Sequence, residues 1–181
     1  KNIYEFGCGP SHNLLNIAKN CKNSKNFFGL DWARSSQKIL ELLEKKKSTL
    51  EVNRHYFFSE KIDMLKKIEN LKVTKSSACL TYGSMEQLGS NFKNFYNFMY
   101  KSPFDLIINI EPIDDLYKNN LFDQYAYKYH CKRGYLKNYL SFLKKKEQNK
   151  KIKILKVQKF IGSEMDDGWT IIIWKKIRTR L

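Results

Sequence analysis

Proline and glycine are both scarce. Three prolines and eight glycines in 181 residues leave no stretch that reads as a flexible linker or low-complexity tail, and no internal repeat is visible. A length of this order suits one domain with a sizeable core, so we expect a single domain over 1–181. No apolar run is long enough to span a bilayer as a helix. The four cysteines, Cys8, Cys21, Cys79 and Cys131, form no Cys-x-x-Cys pair and have no histidine at zinc-finger spacing. Structural zinc and a disulfide framework are therefore not expected, and a reducing cytoplasm is the expected setting. The chain does not open on Met and enters a core strand almost at once; we expect further N-terminal sequence in the native protein.

Acidic residues are few: 18 against 34 lysines and arginines, a net charge of +16. Such a charge is compatible with a nucleic-acid partner or an anionic membrane surface. The lysines are scattered, however, with short runs at Lys45-Lys46-Lys47, Lys144-Lys145-Lys146 and Lys150-Lys151. Arginine, which reads phosphates better than lysine does, is limited to Arg34, Arg54, Arg133, Arg178 and Arg180. With asparagine also abundant, a compositional bias toward Lys and Asn accounts for the charge better than a nucleic-acid surface does, and the second remains the alternative.

Hydrophobic periodicity alternates between strand and helix. Strands are expected at Ile3 to Phe6, Asn26 to Asp31, Arg54 to Ser59, Ser77 to Tyr82, Phe104 to Glu111, Lys153 to Phe160 and Trp169 to Lys175. Helices are expected at Asn13 to Asn20, from a Ser35 cap with Ile39, Leu40, Leu42 and Leu43 buried and Glu44 to Lys47 exposed, at Lys61 to Asn70, at Asn91 to Lys101, and as one long region from Leu121 to Glu147. Pro112 closes the fifth strand. This order implies an α/β fold with a doubly wound, mostly parallel sheet of seven strands.

Chemistry concentrates where the first two strands end. Glu5-Phe6-Gly7-Cys8-Gly9 follows the first strand, and Asp31 ends the second. A dinucleotide fingerprint requires a third glycine, but His12 stands there. A carboxylate at Glu5 would repel a pyrophosphate and attract a cation. S-adenosylmethionine carries an ammonium and a sulfonium and no phosphate, so it suits the site. The segment from Glu5 to Gly9 resembles the first motif of class I S-adenosylmethionine-dependent methyltransferases, and Asp31 matches that family's ribose-binding acid. The resemblance implies a seventh strand inserted antiparallel between the fifth and sixth. It also implies cofactor contacts from Glu5, Gly7, Cys8, Gly9, Asp31, Trp32, Ser59, Tyr82, Gly83 and Ser84. Cys8 reads as a small filler of the loop, and Trp32 either stacks on the adenine or only packs.

Methyl transfer needs a general base only when the acceptor is a hydroxyl. Glu111, at the tip of the most hydrophobic strand, and the His130/Arg133 pair, three apart on one helical face with Tyr127, are the candidate catalytic residues. Glu111 reads as base or as an anchor for Arg133. Glu111, Asp114 and Asp115 raise the question of magnesium, but helix capping explains the two aspartates equally well, and no metal is expected. Segments such as Gly29-Leu30-Asp31-Trp32, Met85-Glu86-Gln87-Leu88-Gly89, Ile110-Glu111-Pro112-Ile113 and Tyr129-His130-Cys131-Lys132-Arg133-Gly134-Tyr135-Leu136 resemble methyltransferases found among bacterial genes for surface-polysaccharide synthesis, although Gly134 departs from that group. This implies a sugar, glycan or other small polar acceptor. An RNA or tRNA methyltransferase is the alternative, and a non-catalytic methyltransferase-like subunit a third reading.

Overall fold

The computed structural model describes residues 1–21, 23–52, 54–68, 70–160 and 168–177. In chain order the elements are β1 (Asn2–Phe6), α1 (His12–Asn20), β2 (Asn26–Asp31), α2 (Arg34–Lys45), β3 (Tyr56–Lys61), β4 (Ser77–Tyr82), α3 (Phe92–Lys101), β5 (Phe104–Glu111), α4 (Leu121–Arg133), α5 (Tyr139–Gln148), β6 (Ile152–Lys159) and β7 (Thr170–Lys176), with 3-10 turns at Met85–Asn91 and Asp114–Leu116. The strands form one sheet in the order β3-β2-β1-β4-β5-β7-β6. β1 to β5 pair in parallel, and β7 lies antiparallel between β5 and β6. The doubly wound sheet with its antiparallel seventh strand is as expected. Its order reverses between β1 and β4, which opens a crevice at their C-terminal ends.

Alternation along the strands sorts side chains onto two faces. On one face Tyr4, Phe6, Cys79, Ile107, Ile172 and Trp174 are fully buried, packed with Phe92, Phe95, Tyr96 and Met99 of α3 and with Tyr139, Leu140 and Leu143 of α5. A polar residue sits in the middle of this core. Asn109 donates to Thr81 Oγ1 at 3.0 Å and accepts from the Tyr139 hydroxyl and Trp174 Nε1, both at 2.9 Å, so its burial is compensated. On the other face, Leu14, Ala18 and Leu40 close over Phe27 and Phe57. That cover stops at β1. Beyond it Ala78, Ile108, Ile110, Ile171 and Ile173 are half-buried and lie on one face by their register. Ala78, Ile108 and Ile110 share an open groove with Asn13, Asn16 and Ile17 of α1, whereas parallel sheets usually bury both faces fully.

Four expected elements differ. The basic helix over Lys61 to Asn70 is absent: β3 extends to Lys61, and the described residues after it run as turns and bends. Their Ile62, Met64, Ile68, Leu71 and Val73 instead pack irregularly against the first core; burying side chains from an extended path outweighs helical periodicity. The third strand starts at Tyr56 rather than Arg54, and α2 starts at Arg34, with Ala33 rather than Ser35 at its cap position. The long region from Leu121 to Glu147 is two helices. Gly134 closes α4 in the left-handed conformation (φ 66°), and its amide donates to the Cys131 and His130 carbonyls.

Gly134 also meets a second glycine. Gly89 has φ 55°, and a Cβ built on it would lie 2.5 Å from the Gly134 carbonyl oxygen, so the turn after β4 presses against the end of α4. Gly89→Ala is expected to lower unfolding free energy by about 3 kcal/mol, combining left-handed strain with a backbone collision. Gly134→Ala, which meets nothing within 4 Å, carries strain alone, about 1 kcal/mol. Denaturant melts of both variants check this, and equal losses would show that the two turns do not pack.

Candidate functional site

The glycine loop after β1 folds over the end of β2. The amides of Gly7 and Cys8 both donate to the Leu30 carbonyl, at 2.7 and 3.3 Å. The Gly9 amide donates to Asp31 Oδ2 at 2.8 Å, and the Ala33 amide to Asp31 Oδ1 at 2.9 Å. Asp31 thus clips the loop to the start of α2 while 7% exposed. A carboxylate offers about four lone-pair sites, so both oxygens retain acceptor capacity. The loop is pinned on its other side by Ser84, whose hydroxyl donates to the Phe6 carbonyl at 2.7 Å. Gly7 (φ 69°) makes this approach feasible, since a Cβ there would lie 2.3 Å from Ser84 Cβ.

Glu5 is inside the cleft wall, 1% exposed, in a row across the sheet with Gly29 and Ser59. Its Oε1 accepts from Asn13 Nδ2 at 2.8 Å. Its Oε2 is buried with no partner among the described residues. Burial pushes the Glu5 carboxyl up to about 7; the Asn13 bond opposes this and the neighbouring Asp31 charge adds to it.

The other expected cofactor contacts surround this core. Cys8 is buried beneath the loop, where burial pushes its thiol up to about 12, so it fills space and carries no thiolate. Ser59 is half-buried in β3. Trp32 is 71% exposed at the tip of β2, its ring free to cover a ligand and not part of the core. Tyr82 meets Trp169 in a tilted contact, with centroids 4.9 Å apart and 34° between planes. Gly83 lies beneath that Trp169 ring, and its amide donates to the Ile110 carbonyl at 2.9 Å.

The three candidate catalytic residues do not meet in one open cleft. Glu111 is fully buried, and its two oxygens accept the Met85 and Glu86 amides at 3.1 and 3.0 Å. It anchors the turn after β4, a role the spacing did not reveal. Burial raises its carboxyl to about 7 against the bonds it accepts. His130 is also fully buried, its Nε2 donating to the Leu136 carbonyl at 2.5 Å. Arg133 alone is exposed; its Nε donates to the Tyr135 hydroxyl at 3.3 Å. Burial, with the nearby Glu86 carboxylate adding to it, raises the Tyr135 phenol, which places Arg133, Tyr135 and Glu86 together at the rim. Asp114 accepts the Asn138 amide, and Asp115 the Leu140 and Ser141 amides, so both tether the start of α5.

Solved structures share this fold. An S-adenosylmethionine-dependent methyltransferase from Methanosarcina mazei superposes with a TM-score of 0.72 at 10% identity, over 98% of this chain and 93% of its own. The methyltransferase domain of bacterial CtHen1 does so with a TM-score of 0.67 at 14% identity, over 97% and 89%. The N-methyltransferase NodS of Bradyrhizobium japonicum, solved with S-adenosylhomocysteine, gives 0.68 at 10% identity, over 98% and 79%. The fold is therefore the Rossmann-like class I methyltransferase fold. No protein-family model matches the chain, and no curated protein matches it.

The two raised carboxyls set a pH dependence. Glu5 and Glu111 titrate near 7 when folded against 4.5 as free groups. The folded state therefore binds protons more tightly, and this stabilisation is complete below about pH 4.5 and lost as pH rises through about 7, on the order of 3 kcal/mol for each group. Glu111→Gln, which mimics the protonated acid, should flatten part of the fall in Tm between about pH 5 and pH 8. A wild-type Tm that does not fall over that range would refute the assignment.

Proposed function

We propose that this chain is an S-adenosylmethionine-dependent methyltransferase. The observation that carries the reading is the pair of neighbouring carboxylates, Glu5 and Asp31, gathered by one glycine loop, with Glu5 Oε2 buried and without a partner among the described residues. A buried, unpaired carboxylate oxygen is costly alone and is compensated by a cationic ligand. A pyrophosphate would meet two negative charges in the same place. The residues therefore fit S-adenosylmethionine: Glu5 faces its positive end, Asp31 offers its remaining lone pairs to the ribose hydroxyls, Trp32 and Ser59 flank the base, and the backbone of Tyr82 and Gly83 takes the amino-acid portion. When bound, the cofactor supplies a methyl group already activated by the sulfonium.

The protein's part in such a transfer is alignment. Glu111 holds the Met85 and Glu86 amides and so fixes the turn that presents Ser84 to the glycine loop. His130 fixes the end of α4 through the Leu136 carbonyl. In this reading both are positioning residues, and Arg133 at the rim meets the acceptor. We read that acceptor as a sugar or other small polar group methylated on oxygen. The Tyr82–Trp169 pair supports this as an aromatic surface beside the strand tips, and so does the polar rim of Glu86, Tyr135 and Arg133. The surface-polysaccharide setting rests on the sequence segments alone. An RNA acceptor is the second reading, favoured by the exposed face of α4.

Calorimetric titration should show S-adenosylmethionine and S-adenosylhomocysteine binding and NADH failing to bind. Asp31→Ala should bring both affinities below detection while the far-UV spectrum is unchanged. Unaltered affinity in that variant would remove Asp31 from the site, and NADH binding in place of the other two would remove the reading.

A further inference from the structure

α4 is attached to the fold by a narrow stripe. Only Asp123, Ala126 and His130 of its thirteen residues are buried, and they follow one another at helical spacing on a single side. The flank beside that stripe carries Phe122, Tyr125 and Tyr129, which are 37%, 65% and 52% exposed. Three large exposed rings follow one another on one flank of a short helix, and exposed apolar clusters of this kind mark binding sites on monomer surfaces. Cations border the rings. From Lys118 to Lys137 the chain has Lys118, Lys128, Lys132, Arg133 and Lys137 against one carboxylate, Asp123. That carboxylate is itself neutralised by Lys159 at 2.7 Å. Lys128 Nζ lies 5.7 Å from the centre of the Tyr125 ring, so charge and ring are presented together.

The platform ends at the cleft. Tyr129 meets Tyr135 edge to face at 6.1 Å, Tyr135 accepts from Arg133, and the adjoining Gly134 carbonyl faces Gly89 in the turn after β4.

We propose that this face of α4 binds single-stranded RNA and leads a nucleotide of the strand to the cleft. What happens to that nucleotide rests on the methyltransferase reading; the binding does not. Successive rings at spacings of three and four residues are offset by about 4.5 and 6 Å along the helix. That offset suits splayed bases rather than the 3.4 Å stack of a duplex, whose base faces are hidden. The cations track the phosphates, and the rings take the bases without regard to sequence. This platform takes up the second acceptor reading given above, RNA, in preference to a free sugar.

The test is fluorescence anisotropy with a labelled 20-nucleotide single-stranded RNA, the same sequence as a duplex, and a neutral polysaccharide as competitor. Calorimetry with S-adenosylhomocysteine runs on every variant. The single strand should bind at least tenfold more tightly than the duplex, and the polysaccharide should not compete. Tyr125→Ala/Tyr129→Ala should weaken single-strand binding at least tenfold with cofactor-product affinity unchanged. Lys128→Ala/Lys132→Ala should reduce the slope of log K against log salt by about 1.4. Equal binding of duplex and single strand with no effect of the tyrosine pair would overturn the proposal, leaving general attraction between polyelectrolytes. Displacement by the polysaccharide would overturn it in favour of a glycan. RNA binding without cofactor-product binding would uphold the platform and fail the methyltransferase reading; the converse would fail the platform alone.

Discussion

A parallel sheet brings its strand ends to one edge, where each departing loop exposes amides that the sheet no longer pairs. This fold answers that constraint with carboxylates. Asp31 holds Gly9 and Ala33, Glu111 holds Met85 and Glu86, and Asp115 holds Leu140 and Ser141. Hydrogen bonds to an ionised acceptor contribute about 1.5–3 kcal/mol each, roughly twice the neutral kind. The three clips therefore fix the crevice before any ligand arrives. At Glu111 the desolvation of a fully buried acid outweighs even these bonds, which is why its carboxyl titrates near neutrality. Glu5 breaks the pattern. Its one hydrogen bond is from the Asn13 side chain, and its other oxygen is buried with no partner among the described residues. Asp31 and Glu111 are compensated by backbone amides, whereas this buried oxygen is not, which is the feature the proposed cofactor reading rests on.

Much of the fold is legible in the residues. Alternation of strand and helix patterns specified the sheet, and the glycine loop with Asp31 located the crevice. What periodicity could not supply was direction. His130 and Arg133 stand three apart, so they are neighbours on α4, yet one is sealed and the other solvated. Spacing fixes the angle between two side chains and not the side of the helix that the rest of the molecule covers. The Leu136 carbonyl, delivered by the turn at Gly134, decides which is which. Glu111 failed to reveal itself for a similar reason: its partners are backbone amides of a turn 25 residues away, and amides leave no trace in residue type. The segment after Lys61 illustrates the opposite error. Ile62, Met64 and Ile68 look amphipathic, but the core takes them from irregular backbone.

The net charge of +16 is informative only through its distribution. A few lysines are tied up locally: Lys47 pairs with Glu44, Lys66 with Asp63, and Lys159 with Asp123. Exposed pairs of this kind contribute little. Lys159 differs, because Asp123 is buried and also accepts the Lys118 amide at 2.7 Å. Lys159 ends β6, so this contact fastens α4 across to the sheet edge.

That fastening bears on why α4 exists as it does. Two of its three buried residues, Asp123 and His130, are polar: Asp123 is held by Lys159, the Lys118 amide and the Asn120 side chain, and His130 by the Leu136 carbonyl. Apolar residues in their place would stabilise as well or better, whereas breaking one member of a buried pair is strongly destabilising. Polar anchors of this sort specify one orientation of a helix whose packing area is too small to specify it. Orientation matters only if the outward side has a task. The rings of Phe122, Tyr125 and Tyr129 would be a solubility cost on a helix free to turn. Held in one attitude beside Tyr135 and the cleft rim, they become a surface with a fixed relation to the site.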